Sequence, residues 1–334
     1  LICRAYSHFV LANMFCMPYN PATAGNRLGI PYMDHAETDL NPRYERGTLQ
    51  EVYEMIGKDI EAGIPLIDDT AYSVPKYHFN YKAACCFASR YYLFMQDWDN
   101  AIKYATMALT SNPSSLLRDY SAIAALPNGS YSQGKLQGIY ETVQPKKGGP
   151  WGSSVTFKAP HAVLASSGKY VLPRTWRVFQ YTDPVAGTGF NKAISVLFTS
   201  EEALLNRAEA YIMKMNEDPT ALDKALEDIY LYAANLFSAG FKSMTEASII
   251  KWATETYPDY SELYVGKTSV SSPQTLNPKK KLHAAPYNTL EEGGPQESML
   301  QALIFMRRYQ FLHEGMRWFD TRRFGITVYR YLLD

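Results

Sequence analysis

The 334-residue sequence predicts a mostly α protein with one long irregular insertion, on three observations. Apolar residues recur at helical spacing over residues 2–16, 48–62, 81–110, 199–236 and 296–315. Helix-start signals stand at Thr48 and Thr199, each followed three residues later by a glutamate. From 114 to about 198 the helical period is lost, and glycine, serine, proline and aromatic residues alternate without a regular pattern.

In the first segment Ala5, Phe9, Ala12 and Phe15 fall at helical spacing, and the Pro/Gly/Asn-rich CMPYNPATAGNRLGIPYM that follows reads as an ordered loop. Thr48 and Glu51 form a capping box for a helix carrying Val52, Ile56 and Ile60 inward. The stretch YKAACCFASRYYLFMQDWDNAIKYATMALTSNP, 81–113, places small residues where two antiparallel helices cross. Ala88, Tyr92, Ala101, Ala105, Ala108 and Pro113 match a tetratricopeptide-type pair: the alanines let backbones approach, the tyrosine fills the notch, and the proline stops the second helix. The region 114–198 is rich in aromatics, which argues for order and for a few short strands. Thr199 and Glu202 predict a second capping box, opening SEEALLNRAEAYIMKM. The next helix, within DPTALDKALEDIYLYAANLFSAG, has Gly240 as its stop. A short helix over 245–257, a polar stretch at 265–295 and one closing helix over QESMLQALIFMRRYQFLHEG complete the chain. The organisation is a single domain over 1–334, made of N-terminal helices (1–113), an irregular ligand-side region (114–198) and C-terminal helices and loops (199–334).

Composition narrows the function. A hydrophobic content of 46% supports a sizeable core, and 33 basic residues against 33 acidic ones leave no net field to attract nucleic acid. The longest apolar candidate, AACCFASRYYLFM, is broken by Arg90 and falls short of the ~20 residues a membrane-spanning helix needs. Cysteines 3, 16, 85 and 86 show no metal-site or disulfide-framework spacing, and no nucleotide, hydrolase or metalloprotease motif is present. No metal and no cofactor is expected. The acidic pairs Asp68-Asp69, Glu201-Glu202 and Glu291-Glu292 read as solvated helix starts and loops, because exposed acids are the commoner case. Tyr131, Tyr140 and Trp151 sit among Gly, Ser, Gln and Lys. That setting suits flat platforms for sugar rings, but on residue type alone rings that pin a loop onto helices are the commoner case.

Several segments together resemble the SusD/RagB family of outer-membrane nutrient-binding lipoproteins. CRAYSHFVLANMFCMPYN is similar to the family's Arg-x-aromatic helix, and RGTLQEVYEMIGKDIEAGIPLI to the next one. KAACCFASRYYLFMQDWDNAIKYATMAL resembles its tetratricopeptide-type pair, EALLNRAEAYIM its Arg-Ala-Glu-Ala helix, and HEGMRWFDTRRFG its closing Glu-Gly-x-Arg-x-x-Asp-x-x-Arg signature. Two acids that the family usually carries ahead of the Glu-Gly are Met306 and Gln310 here.

The resemblance implies a SusD-like fold and a non-catalytic subunit that binds an oligosaccharide or polysaccharide and sits over a SusC-like TonB-dependent transporter. Its place would be the cell-surface side of the outer membrane, through a lipid anchor outside this sequence. Trp151, Tyr140 and Tyr131 would be the leading stacking platforms, with Trp176 and Tyr181 behind them and Lys147 and Gln144 as hydroxyl partners. Glu314, Arg317, Asp320 and Arg323 would form buried charge-assisted hydrogen bonds, and Gly315 would let chains pass closely. On that reading Arg317→Ala costs about 3 kcal/mol if its partner stays buried. A peptide-binding tetratricopeptide-type scaffold and a glycan-cleaving enzyme are the two other classes weighed.

Overall fold

Every periodic segment forms a helix in the computed structural model, which describes residues 1–38, 40, 42–118, 178–183, 185–192, 197–236, 245–256, 260, 279–311 and 315–328. Helix α1 (Ile2–Phe15) buries Ala5, Phe9 and Ala12. The buried stripe continues to Cys16 and not to Phe15, which is 70% exposed. Helix α2 (Leu49–Gly63) opens with the capping box the sequence predicts: Thr48 Oγ1 accepts from the Glu51 backbone N–H at 3.1 Å, and Glu51 Oε2 accepts from the Thr48 N–H at 2.7 Å. Gly57 lies mid-helix because a Cβ there would sit 2.6 Å from the Tyr91 hydroxyl, which donates to the Tyr53 carbonyl.

Helices α3 (Tyr81–Met95) and α4 (Trp98–Leu109) form the expected hairpin. Ala88, Ala101, Ala105 and Ala108 are buried at the crossing, and the Tyr92 ring stacks parallel to Tyr104 at 5.3 Å. The break falls at Thr110, at φ +60°, and three residues later Pro113 opens a short 3-10 turn. In a continued helix the Pro113 ring would meet the Leu109 carbonyl, so α4 ends where proline forbids the next hydrogen bond.

The two strands β1 (Val178–Asp183) and β2 (Thr188–Lys192) pair antiparallel, with an irregularity between Tyr181 and Asp183. Helices α5 (Ser200–Lys214) and α6 (Ala221–Leu236) make a second hairpin; the predicted stop at Gly240 lies outside the described residues. Helix α7 (Glu246–Lys251) starts from a Thr245–Ser248 capping box and runs into a π turn, Trp252–Thr256.

The closing segment corrects one expectation. It is two helices, α8 (Pro295–Gln310) and α9 (Met316–Arg323), because Gly315 adopts φ +79° and resets the chain direction. Helices α3 to α6 pack in succession, α1 and α2 lie together against α3, and α8 packs on α5 and α7. Among the described residues no helix is long and apolar enough to cross a membrane.

Candidate functional site

A buried charged frame holds Arg118 and Leu197, which flank the long insertion in sequence. Glu201 and Glu202, read from sequence as solvated acids, are each 1% exposed. Glu202 accepts a bidentate pair from Arg90, at 2.5 Å from Nε and 2.7 Å from Nη2. The same Arg90 Nη2 donates to the Leu197 carbonyl at 2.8 Å, and its guanidinium lies 4.5 Å over the Phe198 ring. Burial disfavours the Arg90 charge, but Glu202 outweighs it and holds the guanidinium protonated. Glu201 Oε1 accepts from the Arg118 backbone N–H at 2.8 Å and from its Nε at 3.2 Å, while Asn235 Nδ2 donates to the Arg118 carbonyl. Arg118 and Leu197, which flank residues 119–196, are thus both tied to the first turn of α5. The positive end of that helix also favours carboxylates there. The predicted Thr199–Glu202 capping box forms by halves: Thr199 caps the Glu202 N–H at 3.1 Å, but the Glu202 side chain is taken by Arg90.

A second frame holds the end of the chain. Arg307, fully buried on α8, donates to both Asp320 oxygens at 3.0 and 2.9 Å and to Asn206 Oδ1 at 2.8 Å. Asn206 in turn donates to the Ser89 hydroxyl of α3 at 3.0 Å. Arg323 pairs with Asp320 at 3.2 Å, with both oxygens of Glu209, and with the Tyr287 hydroxyl at 2.8 Å. Burial alone would push the Asp320 carboxyl up, but Arg307 and Arg323 outweigh it and hold it below the usual carboxylate range. Two basic residues and two acidic ones therefore knit α9, α8 and α5 together without an excess of one sign.

Two other signature residues behave differently from expectation. Among the described residues nothing lies within 4 Å of where a Cβ on Gly315 would stand, and its φ of +79° is what the turn requires of it. Arg317 has no ion-pair partner among the described residues, and its buried Nη1 has no acceptor there. Burial and the neighbouring Arg308 push it down to about 10. The expected loss of about 3 kcal/mol for Arg317→Ala assumed a stranded ion-pair partner, and none stands among the described residues. Glu314 lies outside the described residues. Met306 is buried, and Gln310, also buried, has an Oε1 without a partner among the described residues.

Lys280 stands in the same basic neighbourhood. Burial first, then Arg308 and Arg317, lower it to about 7 from 10.5. Between those values Lys280 holds more protons in the unfolded chain than in the folded one, so its contribution to the unfolding free energy rises with pH from about 7 to 10.5 and is constant on either side. Urea unfolding across pH 6.5 to 9.5 should show that slope, and Lys280→Met should flatten it. Equal slopes in parent and variant would reject this role for Lys280.

Of the glycan-contact residues expected from the sequence, Tyr131, Tyr140, Gln144, Lys147, Trp151 and Trp176 lie outside the described residues. Tyr181 falls on β1, paired in register with Gly189 of β2. The sequence reading missed Arg90, Arg118, Glu201 and Glu202 as a group. One signal was there: Arg90 is the only charge between Lys82 and Asp97, and an arginine in an apolar helix needs a buried partner. Among the described residues no cluster of His, Cys, Asp or Glu could hold a metal ion.

Paired helices in succession and a closing arginine–aspartate frame place the chain beside proteins of the SusD-like fold. Residues 1–93 match the model of a SusD-like family described as starch-binding and associating with the outer membrane. A SusD superfamily protein from Bacteroides fragilis is similar to the chain at 19% identity and TM-score 0.51, over 96% of this chain and 65% of its own. One from Bacteroides thetaiotaomicron matches at 17% identity and TM-score 0.51, with the same coverages. A SusD-like carbohydrate binding protein from Bacteroides vulgatus matches at 16% identity and TM-score 0.53, over 96% of this chain and 61% of that one. The chain therefore spans under two thirds of the length of these structures. No curated protein matches. The chain has a SusD-like fold over nearly its whole length and is similar in sequence to a SusD-like family over residues 1–93.

Proposed function

We propose that the chain binds an oligosaccharide or polysaccharide at the outer-membrane surface and delivers it to a SusC-like TonB-dependent transporter, without covalent chemistry. The match of residues 1–93 to a starch-binding, outer-membrane-associating family carries the reading. The frame of Arg90, Arg118, Glu201 and Glu202 supports it, because a ligand-binding insertion gains affinity when its base is held in place. Stacking falls to Trp151, Tyr140 and Tyr131, with Trp176 and Tyr181 behind them. Lys147 and Gln144 read hydroxyl orientation. Each ring contributes about 1 kcal/mol beyond its buried area, so binding at one site is weak and relies on several contacts. A lipid anchor outside this sequence would tether the protein to the membrane.

Native affinity electrophoresis through gels containing amylopectin, xyloglucan, galactomannan or mucin tests this. One polysaccharide should retard the chain, Trp151→Ala should lose most of that retardation, and no reducing ends should appear on incubation. A folded chain retarded by none of them overturns the reading, and release of reducing ends overturns its non-catalytic part.

A further inference from the structure

We propose a second carbohydrate platform, built by Tyr72, Tyr77 and His78 on the loop that joins α2 to α3, outside the 114–198 stretch of the sequence. The inference rests on the reading of the protein as a glycan binder. The Tyr72 and His78 rings stack nearly parallel, 4.2 Å apart with 9° between their planes. Tyr77, next to His78 in the chain, is 67% exposed. None of the three packs against the hydrophobic core, whereas the following Phe79 turns inward onto Tyr6, Phe87 and Phe198. Neither tyrosine hydroxyl has a hydrogen-bond partner among the described residues. One face each of Tyr72 and His78 is taken by their mutual stack, which leaves the outer faces, the Tyr77 ring and both hydroxyls without a partner among the described residues.

The loop that carries them is held rather than loose. Two 3-10 turns, Asp69–Ala71 and Pro75–Tyr77, shape it. Asp68 Oδ1 accepts from the Thr70 N–H at 2.9 Å, and Asp69 Oδ1 from the Tyr81 N–H at 2.9 Å. Asn80 Nδ2 donates to the Pro75 carbonyl at 3.1 Å while its Oδ1 caps α3 through the Ala83 N–H. Rings presented on a held backbone lose little entropy when a ligand settles on them.

The chemistry selects the occupant. A pyranose offers an apolar C–H face that fits a flat ring and a rim of hydroxyls that needs polar neighbours. Here Asp68, Ser73 and Lys76 are all exposed on the same loop. Leu66 and Val74 are also exposed on this loop, so a protein partner is the rival occupant, and it would leave polysaccharide retardation unchanged in the loop variants.

The test compares the parent chain with Tyr77→Ala, the double variant Tyr72→Ala/His78→Ala and Trp151→Ala in the same polysaccharide gels, with thermal melts as folding controls. The expected result is retardation of the parent by one polysaccharide, weakened about five- to tenfold by Tyr77→Ala and by the double variant. If the parent is retarded and these loop variants match it, the second platform is overturned while glycan binding stands. If the loop variants lose retardation and Trp151→Ala keeps it, the platform stands and the assignment of Trp151 fails. A parent retarded by none of the polysaccharides overturns both.

Discussion

Arg90→Met should lower the unfolding free energy by about 3–5 kcal/mol, the range seen when one partner of a buried ion pair is removed. The loss is not the worth of the pair itself. It comes from Glu202, which stays 1% exposed with no counterion, and from the Leu197 carbonyl, which loses its donor. Arg90→Met/Glu202→Met should therefore regain most of the loss, because two apolar side chains of similar volume strand no charge. Urea unfolding of the parent, both single variants and the double variant gives the cycle. A single-variant loss below about 1 kcal/mol would mean that water reaches Glu202 once Arg90 is gone, and that the frame is not sealed.

Asp320→Ala should have a comparable effect, on the order of 3–5 kcal/mol, for the opposite reason of sign. Asp320 is fully buried between Arg307 and Arg323, and its removal leaves Arg307 with only the neutral Asn206 and shifts Arg323 wholly onto Glu209. Asp320→Asn, which keeps one acceptor, should fall between parent and alanine variant. Acid gives an independent check. A carboxyl held below its usual value contributes stability that is present above the unfolded value of 3.8 and is lost as pH falls through the folded one. The parent should therefore lose stability on acidification below about pH 4 more steeply than Asp320→Asn. Parallel acid profiles would contradict the assignment.

Thr48 and Thr199 show how far sequence carries. Both stand three residues ahead of a glutamate, and the local pattern is the same. At Thr48 the glutamate completes the box; at Thr199 the glutamate turns to an arginine 112 residues away. No window around Thr199 contains that arginine. The α3–α4 hairpin was legible because its alanines and Tyr92 encode the crossing within one short segment. The last helix was read as continuous because its apolar period runs on to Gly315, and the left-handed turn there depends on where α9 must go to reach Arg307. The platform residues of the long insertion were named from residue type and resemblance; only Tyr181 falls among the described residues, on β1.

By itself, then, the sequence determined the helical segments, their order, the caps at Thr48 and Thr199 and the SusD-like fold, because periodicity, capping and small-residue crossings act over a few neighbouring residues. The tertiary structure decided which charges are buried, which of them pair, and which signature arginine stands without an ion partner among the described residues. Those outcomes depend on desolvation and on contacts between residues far apart in the chain, and a charged side chain looks the same in sequence whether water or a counterion will surround it.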